Sequence, residues 1–392
     1  MRIAFYAPLK SPTHDTPSGD RRVGRLLMDA LRIAGHAVEL ASDFRSLDRT
    51  GDPAHQVALR DEGGALAKTM WARWQALPST QRPEMWFTYH LYYKAPDWLG
   101  PELSAALDIP YVAAEASFAS KRADGPWALG HAAARAAIEK ASLLLCPTQD
   151  DMAGVRIVAA AHTPVVLLPP FLDPAPYRAA ALMRNAHRAQ LAAAHSLDAA
   201  RPWIVVAAMM RHGDKRASYA QLAQVLRRLA DLPWQLLVAG DGPAREEVRA
   251  LLQDAAPARV CFLGECQADA MAALYAASDL CLWPAVNEAY GMAMLEAQAA
   301  GVPVVSCAVR GVADVVCDGQ TGLLAPADDD AGLAQRARDL LLDPARRIAM
   351  GQAALRFVSA QRSTAVAAQR LNQAFDGLRR RHAPQPLPSA SA

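Results

Sequence analysis

The 392-residue chain has few aromatics, 6% of its residues, and almost no net charge: 41 Lys and Arg against 39 Asp and Glu leave +2. That balance gives no basic face for a run of phosphate contacts, which excludes a nucleic-acid binder while leaving room for a small anionic ligand. No apolar run approaches the ~18 charge-free residues that cross a bilayer. The start, Met1 to Tyr6, is stopped by Pro8 and Lys10 too early for an export signal and reads as a strand. The six cysteines include no CxxC pair. Cys261 and Cys266 have four residues between them, but no matching His/Cys pair follows, so a zinc or redox site is not expected. Buried, reduced thiols and a cytoplasmic location are expected instead, with peripheral contact at the inner membrane face left open. No GxGxxG follows the first strand, which removes the nicotinamide fingerprint. Asp328-Asp329-Asp330 directly precedes a helix and reads as its cap rather than a metal clamp, so neither metal nor cofactor is expected.

What the chain has is alanine and length. Hydrophobic residues make up 52% of it, much of that alanine, the mark of a helix-rich globular protein. Its length exceeds the ~100–200 residues of one compact core, so two domains are expected. Short apolar strands alternate with helices, which builds parallel sheets covered on both faces. In the first half the strands are Ile3–Ala7, Ala37–Ala41, Met85–Tyr89, Ile109–Ala113, Leu143–Cys146 and Val165–Leu168. Helices are read at Arg21–Ala34 and Ala65–Leu77, with Asp43–Gly64 and Lys121–Gly130 as irregular loops. A second cycle starts at Trp203–Ala208 and runs to Val302–Ser306. The expected division is 1–185, 186–360, a terminal helix at 361–381 returning to the first domain, and a disordered tail at 382–392.

Chemistry concentrates at strand ends. The strand Leu280–Trp283 runs into a loop with Glu288, then Tyr290, Gly291 and Met292, where a helix begins; its uncapped N–H groups and dipole suit a phosphate. Glu296 falls one turn inside that helix among Met, Ala and Leu, so its carboxylate needs strong donors, either two sugar hydroxyls or backbone N–H groups. Glu288 holds further hydroxyls or a cation, or is simply solvated. After Trp203–Ala208 come Arg211 and Lys215, a fork and a point charge able to converge on one diphosphate, or an ordinary basic turn. Gly240-Asp241-Gly242-Pro243 reads as a structural turn. In the first half, Pro17-Ser18-Gly19 aims a glycine turn and a helix start at the same edge, and His90 follows a strand.

Glu288 to Glu296 has the form E-x7-E with an aromatic-glycine pair inside. Together with Ala239–Pro243, Phe262–Gly264, Leu274–Asp279, Ala300–Val305 and Asp318–Gly322, it resembles the retaining nucleotide-sugar glycosyltransferases of family four, which have the GT-B fold. The resemblance implies two doubly wound Rossmann-like domains facing each other across a cleft, the first on the acceptor side. By resemblance, Arg211 and Lys215 hold the donor diphosphate, Glu288 the transferred hexose, Glu296 the ribose, and Gly19 approaches from the first domain. The donor would be a UDP- or GDP-sugar and the acceptor a glycan, lipid or small molecule. No metal is needed. Many members carry a histidine where this chain has Glu115-Ala116-Ser117; His90 and Glu115 are the replacements. The alternatives are a nucleotide-sugar epimerase, a phosphorylase, or an inactive sugar-nucleotide binder.

Overall fold

The computed structural model describes residues 1–16 and 18–382, the side chains of 379–382 apart. Pro17 of the glycine turn, and the expected tail beyond His382, lie outside the described residues. The chain divides into two compact units, Met1–Leu168 with the residues from Thr364 onward, and Pro169–Ser363. No helix among the described residues is long and apolar enough to cross a membrane.

In the first unit, strands β1 (Arg2–Tyr6), β2 (Ala37–Ser42), β3 (Met85–Leu91), β4 (Tyr111–Ala116), β5 (Leu143–Cys146) and β6 (Val165–Leu167) form a parallel sheet in the order β2-β1-β3-β4-β5-β6. Helices α1 (Gly19–Ile33), α2 (Pro53–Gln75), α3 (Gly100–Leu107), α4 (Ala128–Lys140) and α5 (Gln149–Arg156) connect them. The strands read as continuous apolar runs because both faces are covered. Phe5 stacks on Phe87 at 5.5 Å, and Trp74 meets Trp86 edge-on at 6.2 Å.

Two loops expected from sequence are partly helical. Helix α2 starts at Pro53, twelve residues before the expected Ala65, because Asp52 caps Ala54 N at 2.9 Å and proline suits a first turn. Packing carries it through Gly63-Gly64, two poor helix formers at the end of the stretch expected to be irregular. Helix α4 likewise begins at Ala128, inside the expected Lys121–Gly130 loop.

The second unit opens with α6 (Ala175–Leu182) and α7 (Arg184–His195), then alternates β7 (Trp203–Ala207), α8 (Asp214–Arg227), β8 (Gln235–Ala239), α9 (Arg245–Ala255), β9 (Val260–Gly264), α10 (Ala268–Ala277), β10 (Leu280–Trp283), α11 (Met292–Ala299), β11 (Val304–Cys307), α12 (Val312–Val315), β12 (Gly322–Ala325), α13 (Asp330–Leu342) and α14 (Pro344–Gln361). Its parallel sheet runs β12-β11-β10-β7-β8-β9. The sequence reading put 169–185 in the first domain, whereas these residues group with the second unit. From α7, Arg184 and Arg188 grip Asp279 at 2.6 and 2.9 Å, and Arg188 lies 4.1 Å over the Trp203 ring. Helix α15 (Thr364–His382) closes the first unit against α1, with Asn372 donating to Ala34 O at 3.0 Å and Phe375 set 5.5 Å from the His36 ring.

Asp97 organises the first unit's core. Its buried carboxylate accepts from Trp86 Nε1 at 3.2 Å, Tyr111 hydroxyl at 3.1 Å, Leu99 N at 2.9 Å and Gly100 N at 2.7 Å, and from the Thr88 hydroxyl. Burial pushes its pKa up, and these donors pull it back. Asp97→Ala removes the shared acceptor, leaving the Trp86 indole only its 2.8 Å bond to the Thr88 hydroxyl, so a loss of ~2–4 kcal/mol is expected in urea unfolding followed by tryptophan emission. Asp97→Asn should recover part of it. An unchanged midpoint in Asp97→Ala would remove the carboxylate from its organising role.

Candidate active site

Each sheet has one place where strand order reverses, and ligands of open α/β sheets settle at the carboxyl ends there. In the second unit that place lies between β7 and β10. The loop after β7 is drawn down on its neighbour by close backbone approach: a Cβ on Gly240 would fall 2.0 Å from Ala208 O, and one on Gly242 2.4 Å from Met210 O. These glycines are therefore structural, as expected. Gly213, at φ +78°, opens α8 with no capping side chain and puts Lys215 on the first turn.

The loop after β10 is pinned to the same helix. Val286 N donates to Ser218 Oγ at 3.0 Å, Asn287 Nδ2 to Asp214 Oδ2 at 2.9 Å, and Arg310 Nη1 to Asn287 Oδ1 at 3.3 Å. Ala285 and Asn287 take left-handed backbone, at φ +64° and +52°, so the turn holds strain that the surrounding contacts must offset. The outcome is a direct ion pair between Glu288 and Lys215, with side chains 18% and 33% exposed. Lys215 Nζ also stands 5.6 Å from the Trp283 ring. Gly291, at φ +73°, begins α11 without a capping side chain. Lys215, Glu288, Trp283, Gly291, Met294 and Cys281 line a cavity of about 80 Å³.

Of the four charged residues expected to converge, Lys215 and Glu288 share this hollow. Arg211 and Glu296 do not line it. Arg211 is exposed, and its guanidinium has no partner among the described residues. Glu296 is buried on α11 beside Cys281, whose thiol is pushed up to about 12 by burial and then by the Glu296 charge. Tyr290 and Met292 flank Gly291 and are half-buried. Asp329 caps Gly332 N at 2.8 Å, as the aspartate run suggested. Among the described residues no group of three His, Cys, Asp or Glu is placed to hold a metal.

In the first unit the order reverses between β1 and β3, and there the structure assembles a group that sequence reading found only in part. His90 Nδ1 lies 3.1 Å from Asp20 Oδ1 and 3.6 Å from Glu115 Oε1. His90 and Glu115 sit at the ends of β3 and β4 in left-handed backbone, at φ +61° and +56°. Burial pulls the His90 pKa down, but the charges of Glu115 and Asp20 outweigh it and hold the imidazole above its ordinary value. Burial likewise pushes Asp20 up and His90 more than reverses it. Asp20 was missed. Its signal was its place on the first turn of α1, directly after Gly19. Gly19 itself is exposed, and a Cβ there meets nothing within 4 Å, so the protein's own packing does not require glycine. Ala116, where the family histidine is expected, is the buried last residue of β4, paired with Leu91, and the polar side chain at this strand end comes from Glu115 before it.

The profile of the family described as "Glycosyl transferases group 1" matches residues 201–343, which contain β7, β10 and the whole Lys215–Glu288 hollow. Those residues belong to the group 1 glycosyltransferases. The family-four resemblance and the GT-B fold read from the sequence are borne out with them. A D-inositol 3-phosphate glycosyltransferase of Corynebacterium aurimucosum is 42% identical over 94 residues, 24% of this chain and 22% of that protein. An N-acetyl-alpha-D-glucosaminyl L-malate synthase of Bacillus anthracis is 37% identical over 147 residues, 37% of this chain and 38% of that protein. The matches thus span well under half of these curated relatives. An Anabaena protein crystallised with UDP superposes with a TM-score of 0.71 at 17% identity, over 96% of this chain and all of that one, a likeness of fold.

The charge arrangement of the first unit predicts a pH response. Because the folded His90 pKa is raised, its contribution to stability is full below the unfolded value of ~6.5 and is lost as pH rises through the folded value. Asp20 acts oppositely, adding stability above ~3.8 that is lost as pH falls through its depressed value. An NMR titration should find His90 above ~6.5 in the native chain and lower in Glu115→Gln. Identical titration curves for the two proteins would show that the carboxylate does not act on the imidazole.

Proposed function

We propose that the chain is a retaining hexosyltransferase that moves a sugar from a UDP- or GDP-sugar to the hydroxyl of an acceptor. The observation that carries this reading is the Lys215–Glu288 pair, set in a hollow at the strand-order reversal between the uncapped starts of α8 and α11. A diphosphate entering there meets two helix dipoles and the Lys215 ammonium, and by the family resemblance the Arg211 guanidinium, which has no partner among the described residues, turns to it as well. Each of these favours negative charge. As Lys215 turns to phosphate, Glu288 is released from its ion pair to take hydroxyls of the transferred sugar. Glu296, buried one turn into α11, accepts the ribose hydroxyls.

The sugar's anomeric bond to the leaving phosphate oxygen breaks as the acceptor oxygen bonds to the same carbon from the same face, and the acceptor's proton passes to the departing diphosphate. The configuration is kept. Lys215, Arg211 and the helix N-termini supply fixed positive potential where charge develops on the leaving oxygen, the largest kind of catalytic contribution. On the first unit, His90 with Asp20 and Glu115 would hold acceptor hydroxyls. Six free cysteines fit a reducing, cytoplasmic compartment. The curated relatives are named for hydroxyl-bearing small-molecule acceptors, which fits an acceptor of that size.

Incubation with UDP- and GDP-sugars should release free nucleotide slowly without acceptor, and mass spectrometry of gently purified protein should identify the base. Lys215→Ala and Glu288→Gln should each lower kcat by ~10²–10³, the usual cost of one such group. Turnover at the native rate in both would refute the site. Glu296→Ala should weaken UDP or GDP binding ~10-fold in calorimetry, equivalent to ~1.4 kcal/mol. Unaltered affinity would remove the ribose contact.

A further inference from the structure

Beside the Asp20–His90–Glu115 group the first unit carries a cationic and aromatic ledge that the chemistry above does not use. Segment 43–52 is tied across the carboxyl ends of β1 and β3. Ser46 N donates to Pro8 O at 3.1 Å, Ser46 Oγ to Pro96 O at 2.6 Å, and Asp48 N to Lys94 O at 2.8 Å. Asp48 then turns the chain by accepting from Thr50 N at 3.0 Å and Gly51 N at 3.0 Å, and its carbonyl takes the Trp127 indole N–H at 3.0 Å. This brings Arg45 and Arg49 to the strand-order reversal, where their charges act on the hydroxyl of Tyr92, whose ring is 5.3 Å from that of His90.

Among the described residues neither Arg45 nor Arg49 has an acidic partner within ion-pair distance. Arg45 uses Nε on Leu9 O at 2.9 Å, and its terminal nitrogens make no hydrogen bond among the described residues. Arg49 is exposed and makes none either. Burial, and next the repulsion of Arg49, pull the Arg45 pKa down; burial, and next the charge of Asp20, push the Tyr92 hydroxyl up to about 12. Lys94 lies over two ring faces, 4.3 Å from Trp127 and 5.8 Å from Tyr93, and Arg122 covers Tyr93 at 5.5 Å. A merely solvated basic face would extend into water. Here Arg45 and Lys94 are half-buried and Arg45 is repelled by Arg49, a cost that the charge of Asp20 offsets only in part and that a bound anion would relieve further.

We infer that the acceptor carries an anionic group, a phosphomonoester or a carboxylate, which Arg45 and Arg49 fork with the Tyr92 hydroxyl while the reacting hydroxyl reaches the His90, Asp20 and Glu115 side chains. Two planar guanidiniums suit a phosphate or carboxylate bidentately, and Lys94 adds long-range attraction. The adjoining carboxylates reject a second anion on the reacting side, so the site reads the acceptor's polarity as well as its charge. This inference rests on the transferase reading, and it supplies the acceptor class that reading leaves open.

The test is inorganic phosphate titrated into the full chain by calorimetry and NMR. A Lys215→Ala background serves to silence the other anion-attracting hollow. Saturable binding is expected in both backgrounds, weakened at least ~10-fold by Arg45→Gln with Arg49→Gln. Arg49→Gln alone, at an exposed position, should fold and give a partial loss. Phosphate that fails to bind, or that binds equally after both substitutions, overturns the proposal. Phosphatidylcholine vesicles with and without a phosphoinositide then separate the sources. Arginine-dependent binding to the charged vesicles assigns the anion to a lipid headgroup, and phosphate binding without vesicle binding assigns it to a soluble acceptor. Turnover should follow: inositol 3-phosphate should exceed myo-inositol in kcat/KM by at least ~10-fold wherever either is used. Nucleotide release from the donor alone, measured on the unaltered chain, reports on the transferase reading independently, so the two claims fail separately.

Discussion

The reversal of strand order in a parallel sheet is the constraint on which the rest depends. Where neighbouring strands send their connections to opposite faces, the loops diverge and leave a crevice floored by strand ends and walled by helix starts. Those helix starts carry N–H groups that their own helix cannot satisfy. The chain cannot fill such a place with packed hydrophobic side chains without burying polar backbone, so charged side chains collect there. In the second unit, between β7 and β10, they are Lys215 and Glu288; in the first, between β1 and β3, they are Asp20, His90 and Glu115, with Arg45 and Arg49 brought over from the segment after β2.

The two crevices solve the charge problem differently. The Lys215–Glu288 pair is neutral as a unit and partly exposed, and such pairs contribute little to folding. On the proposed function its value is exchange: a diphosphate would replace the carboxylate at Lys215 because little stability is given up. In the first unit the charges are sorted rather than paired. One imidazole stands between two carboxylates, while two guanidiniums stand next to each other a short way off. Left-handed backbone at His90 and Glu115 fits this picture, since strained geometry persists only where neighbouring structure over-determines it.

How much of this was legible from the sequence follows from how local each signal is. The second unit declares itself because Lys215 and Glu288 lie in two short contiguous segments, Arg211–Lys215 and Glu288–Glu296, each following a strand that the apolar pattern reveals, although Arg211 and Glu296 do not line the hollow. In the first unit, His90 and Glu115 could be singled out by position, but Asp20 reads as an ordinary first-turn acid of α1. Arg45 and Arg49 lay inside a stretch read as irregular. The start of α2 at Pro53 was masked by Gly63-Gly64, where tertiary packing overrides propensity, and without that start nothing showed that residues 43–52 form a short strap across two strand ends. Strand β12 was missed because only two of its residues, Leu323 and Leu324, are strongly apolar, unlike the equally short Leu143–Cys146 and Leu280–Trp283.

Net charge behaves in the same way as these local signals, and it sets the limit on what composition can exclude. A total of +2 rules out a protein that grips many phosphates along a polymer, because that mode needs a basic surface of matching length. It says nothing against one phosphate, since a single anion is held by two or three groups whose charge vanishes into the average over 392 residues. In this chain the average conceals opposite local fields: carboxylates around His90, guanidiniums near Tyr92, and a neutral but exchangeable pair at Lys215. A ligand with one anionic end and one hydroxyl end is the chemistry that would satisfy the first unit's two fields at once, and a diphosphate is what would satisfy the second unit's hollow.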